Sequence, residues 1–471
     1  MKKRLIYILP ALLLFNACTK DISRFNEETK KTADVPPGSL FSNALKSLAD
    51  VVASGSAFRV VVKHWAAAIY QDESQYNFTT AAFPDNWWNT MYRSVLNNLE
   101  SSRLLIEESN IVDGVKQNQL AIIDIMEVYT LHILVTTFGD IPYTEALNGE
   151  NLFPKYDDAK TVYTDLLKRL SEDIGKLNTA SGSFSTTEDF MYKGSVAGWI
   201  KFANTLQLKM GLVIADNDNA AAKVAVESAA GKTIASATDN AVVKYLAVTP
   251  NTNPLYNTLI LSGRSDWVSA QDIVNPMNTL SDPRLTLYFR PNNAGNYVGG
   301  VVGKQNTFED VAKPSTIVSA PDAPVLLADY VETEFLLAEA KERGYNVSGT
   351  AEQHYNNAIK ASVIYWSGTA VSADTYLAKP AVAYSTATGD WKQKIGTQKW
   401  IALYNRPFDA WLDLRRLDYP KLTLPVGALS GFPNRYMYPS NEQLLNGTNY
   451  TAASTAIGGD KVETKLFWDK F

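Results

Sequence analysis

The sequence predicts a mainly α fold: an α-α superhelix of helix pairs, with long irregular loop insertions and a few short strands. Three observations lead there. Apolar residues recur with the 3.6-residue period through several segments of roughly three to six turns. One such segment is apolar around most of its circumference, as a buried helix must be. Between the helical parts, Ala241 to Pro324 is rich in Asn, Gly and Pro, and an insertion of that length in a compact protein usually carries function.

The elements follow in chain order. Lys2, Lys3 and Arg4 form a positive head, and Leu5 to Ala17 is apolar, broken by Pro10 and closed by the small Ala17. Residues 1–17 therefore read as a secretory signal, because a membrane-crossing helix needs about 20 apolar residues. Cys18 stands directly after it and is the single cysteine in the chain, so no disulfide holds the fold together. Residues 18–39 are polar and charged and end in Pro36-Pro37-Gly38; they are expected to be a tether, with one folded domain, 40–471, starting near Leu40. Gln117 to Thr137 is the all-round apolar segment, stopped by Gly139 and Pro142. Asp158 to Asn178 carries one apolar stripe, as a surface helix does, and Ser195 to Ala215 offers Ser195 as an N-cap. Asp329 to Arg343, followed by Gly344, and Ala351 to Trp366 form a further pair. Such pairs resemble tetratricopeptide units, although no clean period of about 34 residues survives. Short β-prone pieces such as Val242-Val243-Lys244-Tyr245 lie in the insertion, and Thr369 to Gln393 is expected to be a second irregular stretch.

Several chemistries are excluded or unsupported. A net charge of −5 without Lys/Arg runs gives no field for nucleic acid. The three histidines, His64, His132 and His354, are too scattered for a zinc motif, and His132 on an apolar helix reads as a core residue. Gly299-Gly300-Val301-Val302-Gly303-Lys304 lacks the first glycine and the Ser or Thr of a phosphate loop. No GxSxG elbow occurs, and Asp216-Asn217-Asp218-Asn219 lacks the Gly and Glu of a calcium loop. No cofactor is expected. A glycosidase would need two carboxylates in one cleft, and no sequence feature isolates such a pair.

A set of phrases occurs in order along the chain: Phe138-Gly139-Asp140-Ile141-Pro142-Tyr143-Thr144-Glu145-Ala146-Leu147; Leu280-Ser281-Asp282-Pro283-Arg284-Leu285; Leu336-Leu337-Ala338-Glu339-Ala340; Gln398-Lys399-Trp400-Ile401-Ala402-Leu403; Phe408-Asp409-Ala410-Trp411-Leu412-Asp413-Leu414-Arg415-Arg416; and Asn434-Arg435-Tyr436-Met437-Tyr438-Pro439. Behind Asn16-Ala17-Cys18, which resembles a lipobox, they resemble the SusD/RagB family of outer-membrane lipoproteins from Bacteroidetes over nearly the whole mature chain. Asp409 stands where Glu is common, and Leu417-Asp418 where Thr-Gly is expected. The phrases themselves read as structural, with Arg415 and Arg416 as internal ion-pair partners. The resemblance implies a non-catalytic binding protein on the cell surface, anchored to outer-membrane lipid through Cys18 and acting as the lid of a TonB-dependent SusC-type barrel. It would capture a glycan, or a peptide, for import.

A sugar offers flat C–H faces and a ring of hydroxyls, so its site needs exposed aromatics beside polar groups. Two places fit. In the first, Asp72 precedes Phe83-Pro84-Asp85-Asn86-Trp87-Trp88-Asn89, and neighbouring helical tryptophans are not expected both to point into the core; Asp72, Trp87, Trp88 and Asn89 are therefore ligand candidates. In the second, inside the insertion, the candidates are Trp267, Arg290 and Tyr297. A surface glycosidase and a peptide- or protein-binding helical-repeat scaffold are the competing functions, and exposure of Trp87, Trp88 and Trp267 separates the scaffold from a stacking receptor.

Overall fold

The computed structural model describes residues 35–79 and 82–470; the signal segment, Cys18 and most of the expected tether lie outside the described residues. The first helix, α1 (Pro37–Ser54), starts three residues earlier than expected. Pro37 fits there because a first-turn residue has no helical acceptor for its N–H. Its buried stripe is Phe41, Ala44, Leu45, Leu48 and Val52. Then come α2 (Ser56–Val61), β1 (Trp65–Ala67) and α3 (Phe83–Asn89), which runs through a π-helical turn, Thr90–Leu96, into α4 (Asn97–Glu108). The central helix α5 (Asp113–Phe138) is apolar and long enough to cross a membrane, yet 89% of its apolar window is buried inside the fold. It ends where Gly139 takes φ +89°, against Leu466, a conformation that disfavours other residues.

Next are β2 (Ile141–Pro142), β3 (Tyr156–Asp157), α6 (Ala159–Lys176), α7 (Val196–Val213), α8 (Asn219–Ala229) and β4 (Ala241–Val243). Asp158 and Ser195 cap α6 and α7 through backbone N–H groups three residues on. The insertion holds β5 (Trp267–Ser269), α9 (Gln271–Thr279), α10 (Leu285–Tyr288), β6 (Phe289–Arg290) and β7 (Lys313–Pro314), and closes with β8 (Val325–Ala328) against β4. The C-terminal part has α11 (Tyr330–Glu342), α12 (Ala351–Tyr365), α13 (Ala370–Leu377), α14 (Trp391–Ala402), α15 (Pro407–Leu417), α16 (Ser440–Leu445) and α17 (Gly447–Ala456). Helix α13 replaces the start of the irregular stretch expected after Thr369: the Thr369 and Ser372 side chains form a reciprocal capping box that nucleates it.

The main pairings are α1 with α4, α5 with α6, α7 with α8, and α11 with α12; α11 also packs on α7 and α14. Thus the fold is the expected helix-pair architecture, and among the described residues four small two-stranded sheets lie in its loops.

Buried charges tie the C-terminal helices together. Arg406 meets Asp329 at 3.1 Å, Glu332 at 2.5 Å and Asp409 at 2.8 Å. Lys209 of α7 reaches Glu332 at 2.9 Å and also Asp409. Lys399 joins Asp413 at 2.7 Å, and Arg416 joins Glu339 at 2.7 Å and Asp413 at 2.9 Å. Arg416 is therefore the ion-pair partner expected of it. Arg415 is different: it donates to the carbonyls of Thr136 and Asn434 and lies 3.5 Å over the Trp411 ring. Burial, only partly offset by Asp469 and Asp413, lowers its guanidinium to about 9.

The phrases that carry the family resemblance bond to one another. Arg435 donates to the Phe138 carbonyl, Tyr438 to that of Asp140, and Arg284, fully buried and paired with Asp282 at 2.6 Å, reaches Gln398. They are scaffold.

His64 and His132 are buried; His64 Nε2 lies 3.1 Å from the Trp400 carbonyl and His132 Nδ1 2.9 Å from Tyr163 Oη. Burial, aided by Arg59 for His64 and by Lys209 for His132, lowers each to about 3. The unfolded chain protonates them near pH 6.5, so their contribution to stability is complete above that pH and is lost as pH falls toward 3. Thermal melts of His132→Gln, which cannot titrate, should accordingly fall less between pH 7 and pH 4.5 than those of the parent; equal slopes would refute this.

Candidate binding surface

One candidate surface is built by the antiparallel pairing of β1 with β5. Ala67 lies opposite Trp267, and the Ala68 N–H bonds the Asp266 carbonyl at 2.7 Å. The pairing sets the strand that precedes the first candidate region against Trp267 of the second. Just past β1 the chain turns out, leaving Ile69 and Tyr70 51% and 57% exposed. From the other strand, Arg264 lies 5.1 Å over the Tyr70 ring and binds Asp266 at 2.6 Å. Trp267 is half-buried, with its ring 6.0 Å from that of Trp65 below. Tyr70, Arg264, Asp266 and Trp267 thus form a continuous aromatic and charged platform.

The surrounding loops brace it. The Asn306 side chain donates to the carbonyls of Ala67, Val301 and Lys304 and accepts from the Val301 N–H. Glycine is required at 299, since a Cβ there would sit 2.3 Å from the Gln271 Cα. The glycine run is therefore a strut along β5, consistent with its failure as a phosphate motif. Gln75 holds the Gly303 carbonyl at 3.1 Å.

The sequence candidates divide. Trp267 belongs to the platform. Asp72 is used for local structure: its side chain accepts from Asn77 Nδ2 at 3.0 Å, and it starts the turn Glu73–Gln75. Arg290 is exposed and pairs in register with Lys313, and Tyr297 is half-buried with its carbonyl bonded by Asn278. Because the Ser269 N–H bonds the Ala312 carbonyl and the Ala312 N–H that of Val298, these segments join the platform's strands through the backbone. Burial, then Arg290, lowers the Lys313 ammonium, with Glu309 and Asp310 opposing.

The expectation that Trp87 and Trp88 cannot both be buried is corrected: they are 5% and 6% exposed. Helix α3 lies between two aromatic clusters, so side chains about 100° apart on it each find one. Trp87 packs on Phe58 and Phe408, and Trp88 on Tyr92, Phe138 and Tyr156. Asn89 alone of this helix's candidates is exposed. Trp88→Phe should accordingly cost about 1–3 kcal/mol of stability and leave ligand affinity unchanged; an affinity loss without destabilisation would contradict its core placement. The Trp87 ring edges a groove of about 610 Å³ with Asp50, Asn86 and Thr90, and its buried Nε1 has no partner among the described residues.

Tyr70 was missed by sequence reasoning. Its only signal was position, between a buried strand and a polar turn. Among the described residues no group of three His, Cys, Asp or Glu is placed to hold a metal ion.

A helix-pair scaffold carrying an aromatic and polar platform on its loops is the architecture of a binding protein. The chain belongs to the SusD-like family, whose sequence profile, described as starch-binding associating with outer membrane, matches residues 29–439. Solved structures agree over nearly the whole chain. A SusD homologue from Bacteroides uniformis is 28% identical with a TM-score of 0.78, covering 92% of this chain and 99% of its own. A SusD-like protein of Bacteroidetes gives 0.82 at 22% identity, covering 93% and 100%. A chitin-binding SusD homologue from Flavobacterium johnsoniae gives 0.76 at 24% identity, covering 91% and 98%. No curated protein matches the sequence.

Proposed function

We propose that this chain is a non-catalytic glycan receptor for nutrient uptake, held on the outer face of the outer membrane by lipid on Cys18 and closing as a lid over a SusC-type TonB-dependent barrel. The observation that carries the reading is the Tyr70–Arg264–Asp266–Trp267 platform, on a chain of a family described as starch-binding. Tyr70 and Trp267 offer faces for sugar C–H groups, while Arg264 and Asp266 offer directional hydrogen bonds. Chitin-binding relatives make β-linked N-acetylglucosamine oligosaccharides the first ligands to test. Asp266 is held by Arg264 at 2.6 Å, which orients its carboxylate for recognition.

The test is calorimetric titration with chitin and starch oligosaccharides, followed by chromatography of the recovered sugars. Saturable binding with intact ligand is expected. Turnover that follows the protein through purification would favour the surface glycosidase, and binding of peptides alone would favour the scaffold.

Acylation by two or more chains suffices for stable anchoring at about 0.8 kcal/mol per CH₂. Cys18→Ser should therefore release the protein from the membrane fraction while leaving its thermal melt unchanged; membrane retention of this variant would disprove the anchor.

A further inference from the structure

A cavity of about 750 Å³ lies between α6 and α8, over α7, and shares no residue with the platform or with the groove beside Trp87. Its volume is in the range of small-molecule sites. The α6 wall presents Leu167 and the α8 wall Ala221, Val224 and Ala225, with Ile214, just past α7, beneath them. Ala221, Ala225 and Ser228 recur on one face of α8, and their small size leaves width between the two helices. One end is aromatic. Phe467 meets Tyr163 edge-on with ring centres 5.8 Å apart, and Asn217 Nδ2 holds the Phe467 carbonyl at 3.0 Å. The Tyr163 hydroxyl is already bonded to His132, so here it contributes only its ring.

One polar group inside is unsatisfied. Gln207 of α7 is 5% exposed and lines the cavity. Its Nε2 donates to Ser228 Oγ at 2.5 Å and to the Ala225 carbonyl at 3.4 Å. These partners fix the amide's orientation: a carbonyl can only accept, and the Ser228 hydroxyl gives its own proton to that same carbonyl at 2.9 Å. The nitrogen must therefore face α8. Oε1 is left without a donor among the described residues, and it is not sealed in the core, so it opens on the cavity. An acceptor in apolar surroundings is costly until a donor reaches it.

The charges of the lining belong to the rim. Lys160, Lys168 and Glu172 are exposed, the last two 3.9 Å apart, and Asp218 accepts the Ala221 N–H as the cap of α8. A charged ligand would find no counter-charge inside.

We propose that this cavity is a second ligand site, for an uncharged aromatic molecule of one or two fused rings that carries one hydrogen-bond donor, a hydroxyl or N–H. The donor sits on Gln207 Oε1, and the rings lie among Leu167, Ile214, Val224 and Phe467. Displacing water from the apolar walls supplies affinity, and the single acceptor supplies selectivity. Such a ligand is distinct from the oligosaccharide of the platform, so the two sites stand or fall separately.

The experiment is calorimetric titration of the full chain with 2-naphthol and with 2-methoxynaphthalene, which keeps the rings and the oxygen but has no donor. At neutral pH 2-naphthol should bind one-to-one and about tenfold more tightly than the ether, the value of one hydrogen bond to a buried acceptor. Gln207→Leu removes the acceptor and should bring the two affinities together, while its titration with oligosaccharide stays that of the parent. Ala221 is exposed on the α8 wall, so Ala221→Trp should fold and, by filling the cavity, abolish naphthol binding; this variant decides the matter if Gln207→Leu does not fold. Absence of saturable naphthol binding, equal affinity of the parent for both probes, discrimination that persists in Gln207→Leu, or naphthol binding unaltered by Ala221→Trp overturns the proposal.

Discussion

Arg406→Met is expected to lower the free energy of unfolding by about 3–5 kcal/mol, the cost of removing one partner from a buried ion cluster. Arg406 is 4% exposed and holds Asp329, Glu332 and Asp409 at once. Methionine fills comparable volume, but it leaves these carboxylates facing Lys209 and the more distant Lys399, 3.9 Å from Glu332. Urea denaturation followed by circular dichroism measures the effect, and a loss below about 1 kcal/mol would mean that the cluster behaves as a surface one. Acid should reveal the same charges. Burial alone would raise Glu332 and Glu339, but Arg406 and Lys209 for the first, and Arg416 and Arg343 for the second, hold both well below the ordinary carboxylate range. In the unfolded chain these groups titrate near about 4.3. Their contribution is therefore complete above that pH and disappears as pH falls through the depressed native values.

Tyr70→Ala is expected to weaken the bound oligosaccharide about 10- to 100-fold, equivalent to about 1.4–2.8 kcal/mol, with little change in melting temperature. More than half of Tyr70 is exposed, so its removal leaves no cavity in the core. Trp267→Ala should lose a similar factor in affinity and also some stability, since one face of the indole packs near Trp65. Arg264→Gln completes the series: it keeps hydrogen-bonding capacity but loses the cation over Tyr70 and the pair with Asp266. Unchanged affinity in both aromatic variants would remove the platform as the ligand surface, and the groove beside Trp87 would be the next to test.

Much of the helical scaffold could be read from residue order. The apolar period found α5 and α6, and the Ser195 cap the start of α7, because these are local rules acting over three or four residues. The period could not say how many aromatic clusters a helix would meet. That is why Trp87 and Trp88 were misread: one exposed residue was expected on α3, whereas the fold supplies a cluster on each side. Similarly, Arg415 and Arg416 look equivalent in sequence. Only packing gives one a carboxylate and the other an indole face.

The candidate platform was half legible. Trp267 was picked out as a candidate because an aromatic beside Arg and Asp in a long insertion suits recognition, and the structure places it half-buried beside Arg264 and Tyr70. Tyr70 was not picked out, because its significance depends on its neighbour across a strand pair. The sequence by itself determined the helix-pair scaffold, the family phrases and the export signature, each written in contiguous residues with a period or a motif. Only the tertiary structure decided which aromatics reach solvent and which residues share a surface. The reason is physical: β1 and β5 are three residues each, too short to carry an alternating pattern, so the register that sets Ala67 opposite Trp267 exists only once the helices have packed and brought those two loops together.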